Sequence, residues 1–229
     1  MNKVNAICSD CAFRNQVCLS MSDDEFSKLN ESTRVMTYEK GEPIIVQGNE
    51  IRYIVYISSG LVKLEHVSEN KEVHIPAIIK APALISGSFQ FSSPVNLYSV
   101  IAIEDTTACL IDINVVRDRL KLNSLFSVRI FEMLSTFYQR VLDKQLTLAC
   151  KRVPGRIAAV LLMFSEKFYN SNKFIFPLTR REISHLTSCS EENVIRTLSS
   201  FEQDGIITVS GKSVQIIQPE KLKRIYDIG

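Results

Sequence analysis

The sequence predicts an α+β fold in which an N-terminal β-roll precedes one long helix and a C-terminal winged helix-turn-helix. Three features of the 229-residue chain lead to this prediction. Short apolar runs separated by turn residues fill residues 34–113, which is typical of a β-sandwich or β-roll. A heptad-like apolar pattern over residues 123–150 predicts the long helix. An ordered series of helix and hairpin signals over residues 154–217 predicts the last part.

The composition is that of an ordinary globular chain. Hydrophobic residues make up 45% and charged residues 23%, so a packed core is expected. No apolar run reaches the ~20 residues of a membrane helix, and residues 1–18 lack the apolar stretch of a secretory signal. We therefore expect a cytoplasmic protein with no membrane partner. Residues 151–229 hold 12 Lys and Arg against 8 Asp and Glu, which suits contact with nucleic-acid phosphates.

The chain is expected to divide into four segments where the sequence pattern changes. Ser22 is expected to cap a short helix ahead of the roll, because Asp23 and Asp24 follow in the first turn. Pro154 can open a helix but cannot continue the preceding one, so a boundary is expected near it. The segments are a cysteine-bearing N-terminal segment, a β-roll sensor domain, a dimerisation helix and a DNA-binding domain: residues 1–20, 21–122, 123–150 and 151–229.

The long helix carries a narrow apolar stripe whose members recur at alternating intervals of four and three residues, with Lys144 as an interruption. This spacing is typical of a coiled-coil seam. Two interpretations remain open: the helix docks on its own domain, or the stripe joins two copies of the chain. The position between two domains favours the second. The predicted dimer interface consists of Ile130, Leu134, Phe137, Val141 and Leu148.

The last 75 residues show the order helix, strand, helix, turn, helix, hairpin. A helix over residues 155–169 precedes a short strand. Thr179 and Glu182 have the spacing of a capping box, so a second helix starts there. Ser190 can cap a third helix, which ends before Gly205. A hairpin with a Ser-Gly-Lys turn forms the wing.

The third helix of this series has an apolar face and a polar face, and the polar face holds Glu192, Arg196 and Ser199. A helix can enter the major groove of DNA, where arginine donates to guanine and glutamate accepts from cytosine. A solvated ion pair between Glu192 and Arg196 is the alternative, but the helix-turn-helix-wing order favours base contact. We expect Lys and Arg near the helix ends and the wing to contact phosphates. The expected DNA-binding residues are Glu192, Arg196, Ser190, Glu191, Asn193, Ser199, Thr179, Arg180, Arg181 and Lys212.

These segments resemble the DNA-binding signature of the Crp/Fnr family, the relatives of the cyclic-AMP receptor protein and the fumarate–nitrate reduction regulator. The matching runs are residues 179–183, 189–196 and 204–212. Residues 40–64 resemble the first strands of the family's roll, so the resemblance implies a cyclic-nucleotide-binding-like jelly roll. It also implies a homodimeric transcription regulator that binds a palindromic site on double-stranded DNA, with RNA polymerase as a further partner.

Within this resemblance, Glu192 and Arg196 match positions that read bases in the family. The chain departs from the pattern at Glu191, where the cyclic-AMP receptor has arginine. It departs again at Ile195, where glycine or serine is usual. These departures put the operator sequence in doubt.

The resemblance also bears on cyclic nucleotides. The family's receptor holds ribose and phosphate with a glutamate after a glycine and with an arginine–serine pair. The matching stretch here, residues 83–89, has no acid, and Asn96 and Leu97 stand where arginine and serine would be. A phosphate without a cation in a half-buried pocket is poorly compensated. We therefore expect no cyclic AMP.

Cys8, Cys11 and Cys18 form a C-x2-C-x6-C run, and soft thiolates at such spacing suit an iron–sulfur cluster or zinc. The fumarate–nitrate reduction regulator carries a C-x2-C-x5-C run and an internal ligand cysteine, which Cys109 matches. The resemblance implies a 4Fe–4S cluster on these four cysteines that senses oxygen, nitric oxide or redox state. The alternatives are zinc, a buried structural role for Cys109 without a cluster, and an unidentified small-molecule effector or none.

The sequence gives no reason to expect an enzyme. It contains no P-loop, nucleophile elbow, HExxH or GxGxxG motif. A cupin-like metalloenzyme would share the β-roll but needs clustered His and Glu ligands, which are not evident.

Overall fold

The computed structural model describes residues 2–3, 12–18, 21–85 and 93–229. The chain divides into two compact units, which are treated separately: Met1–Lys71 with Ala77–Val141, and Glu72–Pro76 with Leu142–Gly229. The α+β class is confirmed, since strands dominate before the long helix and helices with a small sheet follow it. No helix within the described ranges is long and apolar enough to cross a membrane. The bounds of the four predicted segments stay a prediction.

The N-terminal strands form two sheets, as expected for a β-roll. The strands are β1 Asn2–Lys3, β2 Thr33–Tyr38, β3 Pro43–Ile45, β4 Tyr53–Ser59, β5 Leu61–Val67, β6 Val73–Lys80, β7 Ala83–Leu84, β8 Ser99–Ala102 and β9 Thr106–Asp112. One sheet has the strand order β1-β2-β9-β4-β7 and the other has the order β3-β8-β5-β6.

Strand β9 lies at the centre of the five-stranded sheet, between β2 and β4. Cys109 pairs with Val35 on one side and with Tyr56 on the other. Because successive side chains of a strand point to opposite faces, Ala108 and Leu110 belong to one buried cluster. Cys109 belongs to a second cluster. The sheet is therefore packed on both faces, and Cys109 faces away from the side chains of Ala108 and Leu110.

Helices supply the other side of the cluster that contains Cys109. Leu29 and Phe126 are among its members and come from two of these helices. The short helix expected at residues 21–31 is confirmed, with Ser22 and Glu25 forming a capping box. Two further helices, at residues 12–17 and 113–122, were not expected. The helices of this part are α1 Ala12–Val17, α2 Asp23–Glu31, α3 Ile113–Leu122 and α4 Ser124–Ala149.

The long helix α4 is confirmed, and its predicted apolar stripe packs within the chain. Ile130 and Leu134 are buried in the cluster that contains Cys109. Phe137 and Val141 pack against the opposite cluster, and Leu148 is buried as well. These contacts agree with the first of the two interpretations, in which the helix docks on its own domain. A dimer interface on α4 stays a prediction.

The second unit has the expected order of helix, strand, helix, helix and hairpin. The elements are α5 Val153–Leu162, β10 Lys173–Ile175, α6 Arg180–Thr187, α7 Glu191–Gln203, β11 Ile207–Ser210, β12 Ser213–Ile216 and α8 Pro219–Ile228. Helix α5 continues into a wider π-helical turn over residues 163–169. The strands form a sheet of order β10-β12-β11. The final helix was not expected, although Pro219 at its start is a helix-opening signal.

Candidate functional site

Both helices of the helix-turn-helix begin with a side-chain cap. Thr179 Oγ1 accepts a hydrogen bond from the backbone N–H of Glu182 at 3.1 Å, and Glu182 Oε2 accepts one from the N–H of Thr179 at 2.8 Å. This confirms the capping box at the start of α6. Ser190 Oγ accepts from the N–H of Asn193 at 3.2 Å and caps α7. Both caps satisfy backbone donors that the first helical turn would otherwise leave open.

The turn between α6 and α7 is held by Arg156 on α5. Ser188 adopts a left-handed conformation with φ of 51°, which ends α6. Arg156 Nη1 donates to the carbonyl oxygens of Thr187 at 3.1 Å and Ser188 at 3.3 Å. Its Nε donates to the carbonyl of Lys151 at 2.8 Å. One guanidinium therefore ties the start of α5 to the turn that sets the direction of α7.

Helix α7 buries one face and exposes the other. Val194, Leu198 and Phe201 are at most 3% exposed, as their spacing predicted. Glu192 and Arg196 lie on the exposed side. The buried face thus anchors the helix, and the exposed face presents polar side chains to the solvent. A helix that contacts bases in the major groove requires this arrangement.

Arg196 is held within its own helix. Its Nη2 donates to Asn193 Oδ1 at 2.7 Å. In the described part of the chain its hydrogen-bond partner is therefore an amide and not the carboxylate of Glu192. The amide of Asn193 is neutral, so this hydrogen bond does not cancel the positive charge of Arg196, and the guanidinium keeps its attraction for a base acceptor or a phosphate.

The wing is joined to α7 by backbone and side-chain contacts. Glu202 Oε1 accepts from the N–H of Val209 at 3.0 Å. Gly205, with φ of 66°, ends α7 as expected. Gly211 turns the hairpin with φ of 60°, and Lys212 at this turn is exposed. The end of α7 and the first strand of the wing are therefore held together.

The structure gathers all ten predicted DNA-binding residues on α6, α7, their caps and the wing. Two of them, Arg180 and Asn193, are half-buried. Burial lowers the pKa of Arg180, and the nearby carboxylate of Glu202 opposes this shift. The other eight are exposed: Thr179, Arg181, Ser190, Glu191, Glu192, Arg196, Ser199 and Lys212. Their DNA contacts stay a prediction.

One outward residue of α7 was missing from that set. Ile195 is 50% exposed and stands beside Arg196. Its β-branched apolar side chain on a polar helix face was a signal available in the sequence.

Two of the four predicted iron–sulfur ligands lie within the described residues, and both are buried in the same group of hydrophobic side chains. Cys18 is 3% and Cys109 8% exposed. Cys8 and Cys11 lie outside the described residues. Among the described residues, no group of three or more His, Cys, Asp or Glu could hold a metal ion.

Helix α1 places Cys18 against the central sheet. The N–H of Cys18 donates to the carbonyl of Arg14 at 3.1 Å, which continues α1 by one residue. On the same helix, the ring of Phe13 packs against that of Tyr56 with centroids 5.0 Å apart. A small and mostly apolar cavity beside Cys109 is lined by Phe13, Phe26, Leu29, Asn30, Thr33, Tyr56, Cys109 and Ile111.

The positions considered for cyclic nucleotide are only partly described, because residues 86–92 lie outside the described ranges. Asn96 Nδ2 donates to the carbonyl of Asn49 at 2.9 Å, and Leu97 is 47% exposed. The absence of cyclic-AMP binding stays a prediction.

Two family models match the chain, one for each half. A model of the cyclic nucleotide-binding domain matches residues 35–123. A model of the Crp-like helix-turn-helix domain matches residues 155–225. Together they cover the β-roll and the winged helix-turn-helix.

Several curated relatives match over nearly the full length, and they are named as regulators. The regulatory protein HlyX of Actinobacillus pleuropneumoniae is 26% identical, covering 94% of this chain and 92% of the relative. The transcriptional activator protein Anr of Pseudomonas protegens is 29% identical, covering 95% and 91%. The fumarate and nitrate reduction regulatory protein of Vibrio cholerae is 24% identical, covering 96% and 90%.

Solved structures share the fold. FixK2 of Bradyrhizobium japonicum has a TM-score of 0.73 at 20% identity, covering 84% of this chain and 96% of that one. A CRP/FNR-family transcriptional regulator of Thermus thermophilus has a TM-score of 0.66 at 17% identity, covering 84% and 98%. With both domain matches and the full-length relatives, the chain belongs to the Crp/Fnr family of transcription regulators and carries a Crp-like helix-turn-helix DNA-binding domain.

Proposed function

We propose that the protein is a dimeric, sequence-specific DNA-binding regulator that reads bases with α7. The observation that carries this proposal is the two-faced packing of α7, which is capped by Ser190 and exposes Glu192 and Arg196. Arg196 would donate to guanine, and Glu192 would accept from the amino group of cytosine. A good bidentate contact of this kind discriminates between bases by about 1–3 kcal/mol.

Phosphate contacts would set the register of the protein on the duplex. Thr179 and Ser190 stand at helix N-termini, where the helix dipole and open backbone donors favour an anion. Arg181 and Lys212 are exposed cations on the same unit, and Arg180, the sequence neighbour of Arg181, is half-buried. Such contacts carry affinity without sequence information and weaken as salt rises.

Selection from a random pool of double-stranded DNA tests this function. The full chain should enrich an inverted repeat whose half-site centres lie about one helical turn apart, roughly 10 base pairs. Enrichment of a lone half-site would contradict the dimeric arrangement. Absence of any enriched sequence, in air and under nitrogen, would contradict sequence-specific binding.

The exposed apolar stripe of α4 supports the dimer. Val128 is 50% and Phe131 70% exposed, and Leu142 further along the helix is 60% exposed. These positions recur at helical spacing on a face distinct from that of Ile130 and Leu134, which their own chain buries. An apolar stripe on a long helix is most readily covered by the same stripe of a second copy.

We also propose that the signal reaches the protein through a 4Fe–4S cluster held by Cys8, Cys11, Cys18 and Cys109. The burial of Cys18 and Cys109 in one cluster of side chains supports this. Thiolates are the ligands that such clusters require, and the apolar surroundings would shield them from water. When bound, the cluster supplies an iron centre that can react with oxygen or nitric oxide, or can be oxidised and reduced. The chain's own residues hold it: α1 fixes Cys18, and β9 fixes Cys109.

Spectroscopy on protein purified without oxygen tests the cluster. Wild type should be brown, with iron and acid-labile sulfide near four each per chain. Cys109→Ser should lose the colour, whereas Cys150→Ser, an exposed cysteine, should keep it. A colourless wild type, or a Cys109→Ser variant with full iron content, would overturn the assignment. Zinc without sulfide would identify the alternative metal.

A further inference from the structure

Ile195 lies on the outward face of α7. Its two sequence neighbours differ sharply, since Val194 is fully buried and Arg196 is exposed. Ile195 itself is 50% exposed. Of the large apolar side chains on α7, all of which are described, it is the one that the protein leaves open to solvent; the others form the buried face.

The side chains around Ile195 are polar. Glu192 lies three residues before it and Ser199 four residues after it, so both are its neighbours on the helix surface. Arg196 follows directly. These three are proposed to face the bases, so a duplex that reaches them also reaches Ile195.

We infer that Ile195 reads the C5-methyl group of a thymine in the major groove, which rests on the proposed function of α7. The thymine methyl is the apolar feature that base pairs present in this groove. An isoleucine pressed against the amino group of adenine or cytosine would instead remove water from a donor without replacing the hydrogen bond. Ile195 would therefore favour thymine at one position of each half-site, beside the bases read by Glu192 and Arg196.

Uracil substitution gives a direct test, because deoxyuridine keeps the pairing and acceptors of thymine and lacks only its methyl group. The duplex is the palindrome selected with wild-type protein, with each thymine of one half-site replaced in turn by deoxyuridine. Wild type should lose on the order of fourfold in affinity at one position, the factor expected for one methyl group withdrawn from burial. The other thymines should have much smaller effects.

The Ile195→Ala variant completes the test. It should bind thymine and deoxyuridine duplexes equally at that position, since the methyl has lost its contact. Ile228→Ala, which removes another exposed isoleucine on a helix of the same unit, should keep the fourfold difference.

Three outcomes would overturn the inference. Two of them concern Ile195 itself: wild type is insensitive to every replacement, or Ile195→Ala keeps the full difference, which would place the methyl contact elsewhere. A selection with wild type that enriches no duplex would instead remove the proposed function, and the inference with it. Circular dichroism of Ile195→Ala should match wild type, because the side chain is exposed.

Discussion

Arg156 Nη1 on α5 donates a hydrogen bond to the backbone carbonyl oxygen of Thr187, the last residue of α6, with the two atoms 3.1 Å apart. The same guanidinium also reaches the carbonyls of Ser188 and Lys151. A single side chain thus satisfies backbone acceptors at the end of α6 and ahead of α5. Since α7 begins just after this turn, the contact fixes the reading helix indirectly.

Replacing Arg156 should destabilise the second unit. Hydrogen bonds to a charged group contribute about 1.5–3 kcal/mol, so we expect Arg156→Ala to lower the free energy of unfolding by about 2 kcal/mol. Chemical unfolding followed by circular dichroism measures this. Arg156→Lys keeps the charge but not the forked donors, and should recover only part of the loss. Unchanged stability in Arg156→Ala would show that the three contacts do not hold the turn.

The Ser190 cap should matter for both stability and DNA affinity. Loss of an N-cap side chain costs about 1 kcal/mol, so Ser190→Ala should lower stability by that amount and weaken binding to the selected palindrome. Ser190→Thr keeps a hydroxyl acceptor and serves as the control. If Ser190→Ala and Ser190→Thr behave alike in thermal unfolding, the hydrogen bond to the N–H of Asn193 does not stabilise α7.

Lys144 should make stability depend on pH. Burial lowers its pKa from 10.5 to about 7, and its Nζ donates to the carbonyl of Pro76 at 3.1 Å. Between pH 7 and 10.5 the unfolded chain keeps a proton that the folded chain has released. The contribution of Lys144 to the free energy of unfolding therefore rises with pH across this window.

A Lys144→Met variant isolates this effect. Gln145 Nε2 also donates to Pro76 at 3.1 Å, so the carbonyl keeps a partner in the variant. The stability of Lys144→Met relative to wild type should be greatest at pH 7 and below, and should decline as pH rises towards 10. Urea unfolding at several pH values measures the difference. Parallel profiles for the two proteins would show that Lys144 does not titrate in this range.

A charge on the exposed stripe of α4 should break the dimer. Phe131→Glu would bury a carboxylate between two copies of the chain, which is costly without a partner charge. Sedimentation should show a monomer, and affinity for the palindrome should fall to that for a single half-site. Thr136→Glu adds the same charge to another exposed face and should stay dimeric. A dimeric Phe131→Glu protein would exclude this stripe as the interface.

The sequence predicts α6 and α7 well because their limits are set locally. The capping box of Thr179 and Glu182, the cap of Ser190 and the left-handed Gly205 act over a few residues. Helix α3 has a local cap as well, since Asp112 Oδ1 accepts a hydrogen bond from the N–H of Asn114 at 2.8 Å. It was missed because Asp112 is also the last residue of strand β9, so the strand passes directly into the helix without a turn.

The face of α4 that a partner would meet could not be chosen from spacing alone. Ile130 and Leu134 repeat as a coiled-coil seam does, but a helix docked on a sheet shows the same period. Only the position of the sheet decides between them. The proximity of Cys18 and Cys109 could not be predicted from local sequence either. These two residues are distant in the chain and meet only in the folded core, where both belong to one group of buried side chains.

The affinity ratio between the selected palindrome and a scrambled duplex of equal length tests the central claim most directly. Fluorescence anisotropy at one fixed salt concentration provides both dissociation constants. A regulator that reads bases with Glu192 and Arg196 should prefer the palindrome by roughly a thousandfold or more, and Arg196→Ala should lose a large part of that preference. Equal affinity of the wild-type protein for both duplexes would contradict the account.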